Sequence, residues 1–220
     1  TVTDTGLSSG IVYPSSELTH NTIQYHTPEL PFGTTATVAW GNTHKVASSG
    51  NQVGDAGTNS ITAYSLVTKP VDGLTVSGSA YSIADFDDGV VTEQQTEDGG
   101  AWAVTYAMGN VTAGYGKSYK SPETTDAIST GTAVEYHENT GMSIAMAIND
   151  DVSISYSAEE STAKQRTSTN VVYDVSVDSL QVAYSMGGAT LSLARSEFDN
   201  IAYANGGDRT ETIIAMSFAF

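Results

Sequence analysis

From about residue 21 onward the chain alternates apolar and small polar positions with a period of two, and no stretch of useful length carries a helical period. The closing segment shows the pattern most clearly. Thr212, Ile214, Met216, Phe218 and Phe220 fall on one face of an extended strand, and Ala215, Ser217 and Ala219 fall on the other. A large apolar face backed by small residues is the reverse of a soluble half-buried sheet. It is the pattern of a strand that turns its apolar side to lipid. On this segment alone, the last strand of a β-sandwich remains the other reading.

The same alternation predicts eleven strands, at 21–29, 34–43, 59–69, 74–86, 100–108, 111–121, 132–149, 152–159, 171–186, 189–198 and 210–220. A change of phase near Asp178-Ser179 predicts a β-bulge, or a strand longer than the bilayer is thick. Short turns such as Pro70-Val71-Asp72-Gly73, Gly109-Asn110 and Gly187-Gly188 take turns with long Gly/Ser/Asn-rich or acidic connections. Strict alternation of this kind puts every short turn at one end of an antiparallel meander and every long loop at the other. The expected fold is all-β, an antiparallel up-and-down transmembrane β-barrel. The residues expected to face lipid include Met142, Ile144, Met146, Ile148, Val152, Ile154, Leu191, Leu193, Ile214, Met216 and Phe218. Ser143, Ser153, Ser155, Ser192 and Ser217 are expected to face the lumen.

Composition favours the membrane over the sandwich. The 220 residues are 39% hydrophobic and only 15% charged, and Ser, Thr, Gly, Asn and Gln fill much of the rest. A soluble domain of this length ordinarily carries more charge and a thicker aliphatic core. A wet lumen needs neither. No apolar run reaches the roughly 18 residues of a membrane helix. Cysteine is absent, in keeping with passage through an oxidising compartment without disulfides. The formal charge of −17 leaves few side chains to neutralise phosphates, which excludes nucleic acid as an expected partner. It also predicts a mouth that concentrates cations.

The stretches WAVTYAMGNVTAGYGKSY (102–119), MSIAMAINDDVSISYS (142–157) and DSLQVAYSMGGATLSL (178–193), followed by the closing IIAMSFAF, resemble the C-terminal part of a Gram-negative general porin, most like those of alphaproteobacteria. The likeness covers most of the chain from about residue 21. It implies a sixteen-stranded barrel in the outer membrane, in contact with its lipids and lipopolysaccharide and assembled as a homotrimer. Such a barrel passes small hydrophilic solutes and ions by passive diffusion. Residues 1–20 would then be the end of the loop folded into the pore, residues 21–220 would be barrel strands with their loops and turns, and the first five strands would lie outside this sequence. An odd count of eleven departs from the even number of bacterial single-chain barrels and points the same way. In the family, acidic loop residues face basic wall residues. Asp4 and Glu17 are the candidates for the loop, Glu17 ahead of Asp4, and Lys69 and Lys120 are those for the wall. The C-terminal aromatic strand is what the family's insertion machinery recognises. Phe218 and Phe220, with Trp40, Trp102 and Tyr106, are expected in the aromatic girdles, where rings are apolar and their tips want water.

Enzyme signals are absent from the sequence: there is no GxSxG elbow, no HExxH and no P-loop. His20, His26, His44 and His137 have no metal-ligand spacing, and His137-Glu138 lacks a second histidine. Asp85, Asp87 and Asp88 open like a calcium loop, but the ligand order is then lost. The expectation is no cofactor, with Ca²⁺ at most bridging this loop loosely. A surface-exposed structural or adhesive β protein that is not a channel is the competing class.

Overall fold

The computed structural model describes residues 9, 11–14, 22–43, 59–84, 97–122, 134–165 and 173–218. Its strands are β1 (Thr22–His26), β2 (Thr35–Thr43), β3 (Asn59–Thr68), β4 (Leu74–Ala84), β5 (Glu97–Met108), β6 (Val111–Ser121), β7 (Val134–Ala147), β8 (Val152–Gln165), β9 (Val175–Met186), β10 (Ala189–Asp199) and β11 (Arg209–Phe218). Each strand pairs antiparallel with its neighbour in the chain, and together they make one 11-stranded up-and-down sheet. Among the described residues the sheet is open: β1 and β11 are its two edges and do not pair with each other.

The short turns close as their residues allow. Gly73 sits at φ +76°, where a Cβ would lie 2.2 Å from the carbonyl oxygen of Ala107. The Ala107 N–H donates to the Gly73 carbonyl at 2.8 Å, so the turn is stitched to β5 at the one point where a side chain would intrude. In the β7–β8 turn the Asn149 side chain accepts from the N–H groups of Asp151 and Val152.

Three details depart from the sequence expectation. The polar run after Glu159 continues β8 to Gln165 and is not a loop, because Ser161 and Ala163 keep the alternation and pair with Asn139 and His137. The phase change near Asp178-Ser179 is not a bulge: β9 stays in register with both β8 and β10 through these residues. The irregularity lies between Val134 and Tyr136 of β7 instead. Finally, β5 begins at Glu97, which moves Glu97 and Asp98 out of the acidic connection and onto a strand.

Residues opposite one another in a sheet share a face, so the register assigns both faces. One row runs Leu74, Tyr106, Ala113, Ile144, Tyr156, Leu180, Arg195. The next runs Met108, Val111, Met146, Ile154, Val182, Leu193, Ile214. These side chains make the apolar face, and its large members are exposed, among them Met142, Ile144, Leu191, Ile214 and Met216. The opposite face carries Ser143, Ser153, Ser155, Ser192 and Ser217. Every buried apolar residue among the described ones also belongs to this second face: Ala39, Ile61, Tyr81, Ala163, Val175, Ala194 and Phe198.

The register also gives the tilt. The first row meets the first residue of β4 (Leu74), the third of β6 (Ala113), the fifth of β8 (Tyr156) and the seventh of β10 (Arg195). That is a stagger of one residue per strand. With a rise of about 3.3 Å and a strand spacing of about 4.8 Å, the strands lean by about 35°, or about 2.7 Å of height per residue. Barrels lean by a similar angle.

Candidate functional site: a strap across the polar face

Ile11–Pro14 carries no regular structure and crosses the polar face of the sheet. The side-chain amide of Asn139, on β7, donates to the Val12 carbonyl at 2.9 Å and to Ser118 Oγ of β6 at 2.9 Å. The Tyr13 hydroxyl donates to Glu159 Oε2 of β8 at 2.7 Å. Pro14 lies across a hollow from residues of β1 to β5. The two halves of the sheet therefore face the strap from different sides, and the polar face curves around it. Behind the strap, the Ser9 carbonyl accepts from the Ala202 N–H at 3.0 Å, in the β10–β11 connection.

That connection is bent unusually. Asn200, Ala202 and Tyr203 all sit at positive φ (52°, 58° and 60°); asparagine tolerates this conformation, whereas Ala202 and Tyr203 cost about 1–2 kcal/mol each. Hydrogen bonds hold it there. Asn200 donates to the Asp174 carbonyl at 3.0 Å, and the Tyr203 carbonyl accepts from the Tyr173 N–H at 3.4 Å. The Tyr203 ring reaches inward to the buried pair His137 and Ser161.

The directions of these bonds follow from one atom. The Val12 carbonyl can only accept, so the Asn139 amide turns its nitrogen to the strap and its oxygen to Ser161. Ser161 must then donate to Asn139, at 2.5 Å. Its remaining neighbour, the Tyr203 hydroxyl at 2.7 Å, must donate to Ser161 in turn. His137 Nδ1, 3.2 Å from Tyr203, is left as the donor that starts the chain. All the protons point one way, from β7 through the β10–β11 connection and back to the strap. Such chains strengthen each member. Protonating the other nitrogen of His137 would leave this order intact.

Beside the chain lies an ion pair. Lys120 Nζ is 3.2 Å from Glu97 Oε1, with side chains only 15% and 12% exposed. The Tyr81 hydroxyl donates to the same carboxylate oxygen at 2.8 Å. Gly99 makes this possible: it faces Tyr81 across the strands, and a Cβ there would stand 2.4 Å from the ring.

The structure sorts the sequence candidates. Lys120 lies on the polar face, but as half of a neutral pair. Lys69 does not belong to the wall: it follows β3 at the short-turn end, exposed, with its N–H bonded to the Phe32 carbonyl of the next turn. Ser153, Ser155 and Ser192 meet around one hollow with Thr112, Ala145 and Gln181, near the short turns. Ser143 shares their face on β7, and Ser217 opposes Thr190 at its margin. Trp40, Trp102, Tyr106 and Phe218 are all exposed on the apolar face. Tyr106 and Phe218 lie at its short-turn end, whereas Trp102 stands six residues higher than Met108, about 16 Å up, in ring contact with Tyr115 at 5.6 Å. At that level and above, the same face turns polar, with Lys117–Glu138 at 3.0 Å and Arg195–Glu197 at 2.9 Å. Asp4, Glu17, Asp85, Asp87, Asp88 and Phe220 lie outside the described residues.

Tyr13, Asn139, Ser161 and Tyr203 were not legible as site residues, and Glu97 read only as part of the acidic connection that could hold Ca²⁺ loosely. The only local hint is the polar run His137-Glu138-Asn139-Thr140 inside an alternating strand. Compared with known proteins, the chain matches no family model, and no characterised protein is significantly similar to it.

Proposed function

We propose that the chain forms part of the wall of an outer-membrane porin of a Gram-negative bacterium, a water-filled channel for passive diffusion of small hydrophilic solutes and ions. The observation that carries this reading is the inverted sheet. Its apolar side chains stand exposed on the outside, while its hydroxyls and its buried ion pair lie on the side that holds the strap. A soluble sheet gains stability by hiding the first set from water, and this one gains it only where lipid covers that face.

The levels agree with a bilayer. The apolar band of β6 and β10 ends at Lys117 and Arg195, each six residues above the strand start, about 16 Å up, and long basic side chains reach further toward water. An outer-membrane barrel carries an apolar band of about 25 Å between aromatic girdles. In lipid the open edges of β1 and β11 would leave N–H and C=O groups unpaired at several kcal/mol apiece. The reading therefore requires that both edges pair with strands beyond these eleven. The strap corresponds to a loop folded into the lumen, where it narrows the path. Homotrimeric assembly and a mild cation preference from the acidic connections complete the proposal.

The test is reconstitution of the full-length protein into a planar lipid bilayer. Stepwise ion conductance is the expected result. A protein that folds into vesicles yet carries no current refutes the channel, and one that folds in water without detergent points to the structural β protein instead.

A further inference from the structure

We propose that the polar face carries a weak binding site for small uncharged polyhydroxylated solutes, the sugar class, in the hollow near the short turns and away from the strap. Its place on a solute's path rests on the channel reading above.

The hollow has a volume of about 460 Å³, within the roughly 300–1,000 Å³ of small-molecule sites. It is separate from the strap. Asn139 and Glu159, which hold the strap, lie eight and seven positions above Ala147 and Val152, about 22 and 19 Å up. The highest polar residue of the hollow, Gln181, lies five positions above Met186, about 14 Å up.

The register keeps the hydroxyls of the hollow apart. One row across the face runs Thr112, Ala145, Ser155, Gln181, Ala194. The next, toward the turns, runs Ala147, Ser153, Ala183, Ser192, Ala215. Alanine stands between the hydroxyl-bearing residues of each row. None of Thr112, Ser153, Ser155, Gln181 and Ser192 has a side-chain hydrogen-bond partner among the described residues. One row higher, Ser143, Ser157, Ser179 and Ser196 are direct neighbours, and Ser196 donates to Ser179 at 3.0 Å. There a hydroxyl finds its partner inside the wall. In the hollow each keeps its donor and its acceptor for what enters.

The spacing points to the ligand. Ser153 and Ser155 stand about 7 Å apart along β8, and Ser153 and Ser192 about 10 Å apart across Ala183. Hydroxyls at these intervals, alternating with alanine methyls, suit a sugar, whose hydroxyls surround a C–H face. No charged side chain lines the hollow among the described residues, so nothing there offsets the desolvation of an ion. The hollow opens toward the lumen, which keeps binding weak, as a channel requires of any site that a solute must leave.

The experiment adds sucrose to the full-length protein, against a methyl-capped polyethylene glycol of equal hydrodynamic size, whose ether oxygens accept hydrogen bonds but do not donate them. Saturation-transfer NMR on the folded protein in detergent reads binding without a current, and current noise in a planar bilayer reads it during conduction. Sucrose should bind with a dissociation constant in the millimolar range, on the order of 1–10 mM, and the capped glycol should not saturate. Ser155→Ala combined with Gln181→Ala should weaken sucrose binding about ten-fold, through two lost hydrogen bonds. Ser179→Ala, one row higher, should leave it unchanged. Each variant is checked for folding by its heat-modifiable gel mobility. Equal effects of sucrose and the capped glycol, or a folded double variant that binds like the wild type, would overturn the site while conductance still supports the channel. Undiminished sucrose binding without any current would instead support the site and remove the channel reading.

Discussion

Arginine placed at Met146, Ile144 and Met142 in turn samples three heights on the apolar face of β7. These residues lie one, three and five positions above Ala147, where the strand ends. At about 2.7 Å of height each, they stand about 3, 8 and 14 Å above that end, against an apolar band that turns polar about 16 Å up, at the level of Lys117. Ile144 therefore sits nearest the middle, where arginine on the lipid face costs about 2–4 kcal/mol. Met146 and Met142 sit nearer the lower and upper margins, where the cost falls toward about 0–1 kcal/mol. Ser143→Arg points to the other face, beside Gly114 and Ser157, and should cost little while altering conductance. The assay is a urea titration of folding into lipid vesicles, read by tryptophan fluorescence and gel mobility. A maximum at Ile144, with Met146 and Met142 lower and Ser143 near zero, is the expected outcome. Equal costs for Ile144→Arg and Ser143→Arg, or no dependence on height, would refute the assignment of lipid and lumen faces.

Asn139→Ala removes the partner of both the Val12 carbonyl and Ser161, loosening the strap and lowering folding stability by about 1–3 kcal/mol; single-channel records should show more open-state noise. Glu97→Gln leaves Lys120 without its counter-charge, so stability should fall by about 2 kcal/mol and the reversal potential should move toward anions. Burial, and then the hydrogen bond to Glu159, push the Tyr13 phenol well above its ordinary value. A phenol raised in this way contributes its contact fully below about pH 10, the unperturbed value, and loses it only as pH climbs through the raised one. Conductance should therefore be flat from neutral pH to about pH 10. A phenolate absorbance step near the ordinary tyrosine range that Tyr13→Phe abolishes would contradict it.

What the sequence determined by itself is local. Side chains alternate across a strand whatever it pairs with, so Ile214, Met216 and Phe218 on one face and Ala215 and Ser217 on the other follow from covalent geometry alone. Gly109-Asn110 and Gly187-Gly188 announce their turns in the same way, and the alternation of short and long connections then dictates an up-and-down sheet. Strand ends were less legible. Polar residues near the long connections belong equally well to loops, and only pairing with Asn139 and His137 kept Ser161 and Ala163 in β8. The strap and its clamp were decided by tertiary structure. Val12 and Asn139 are 127 positions apart, and Tyr203 reaches Ser161 across 42. Lys120 meets Glu97 because the stagger of β5 against β6 brings them within reach. A period-two pattern states which way a side chain points, but which of the many hydroxyls and amides on that face meet one another depends on register, tilt and curvature, and no run of neighbouring residues encodes those.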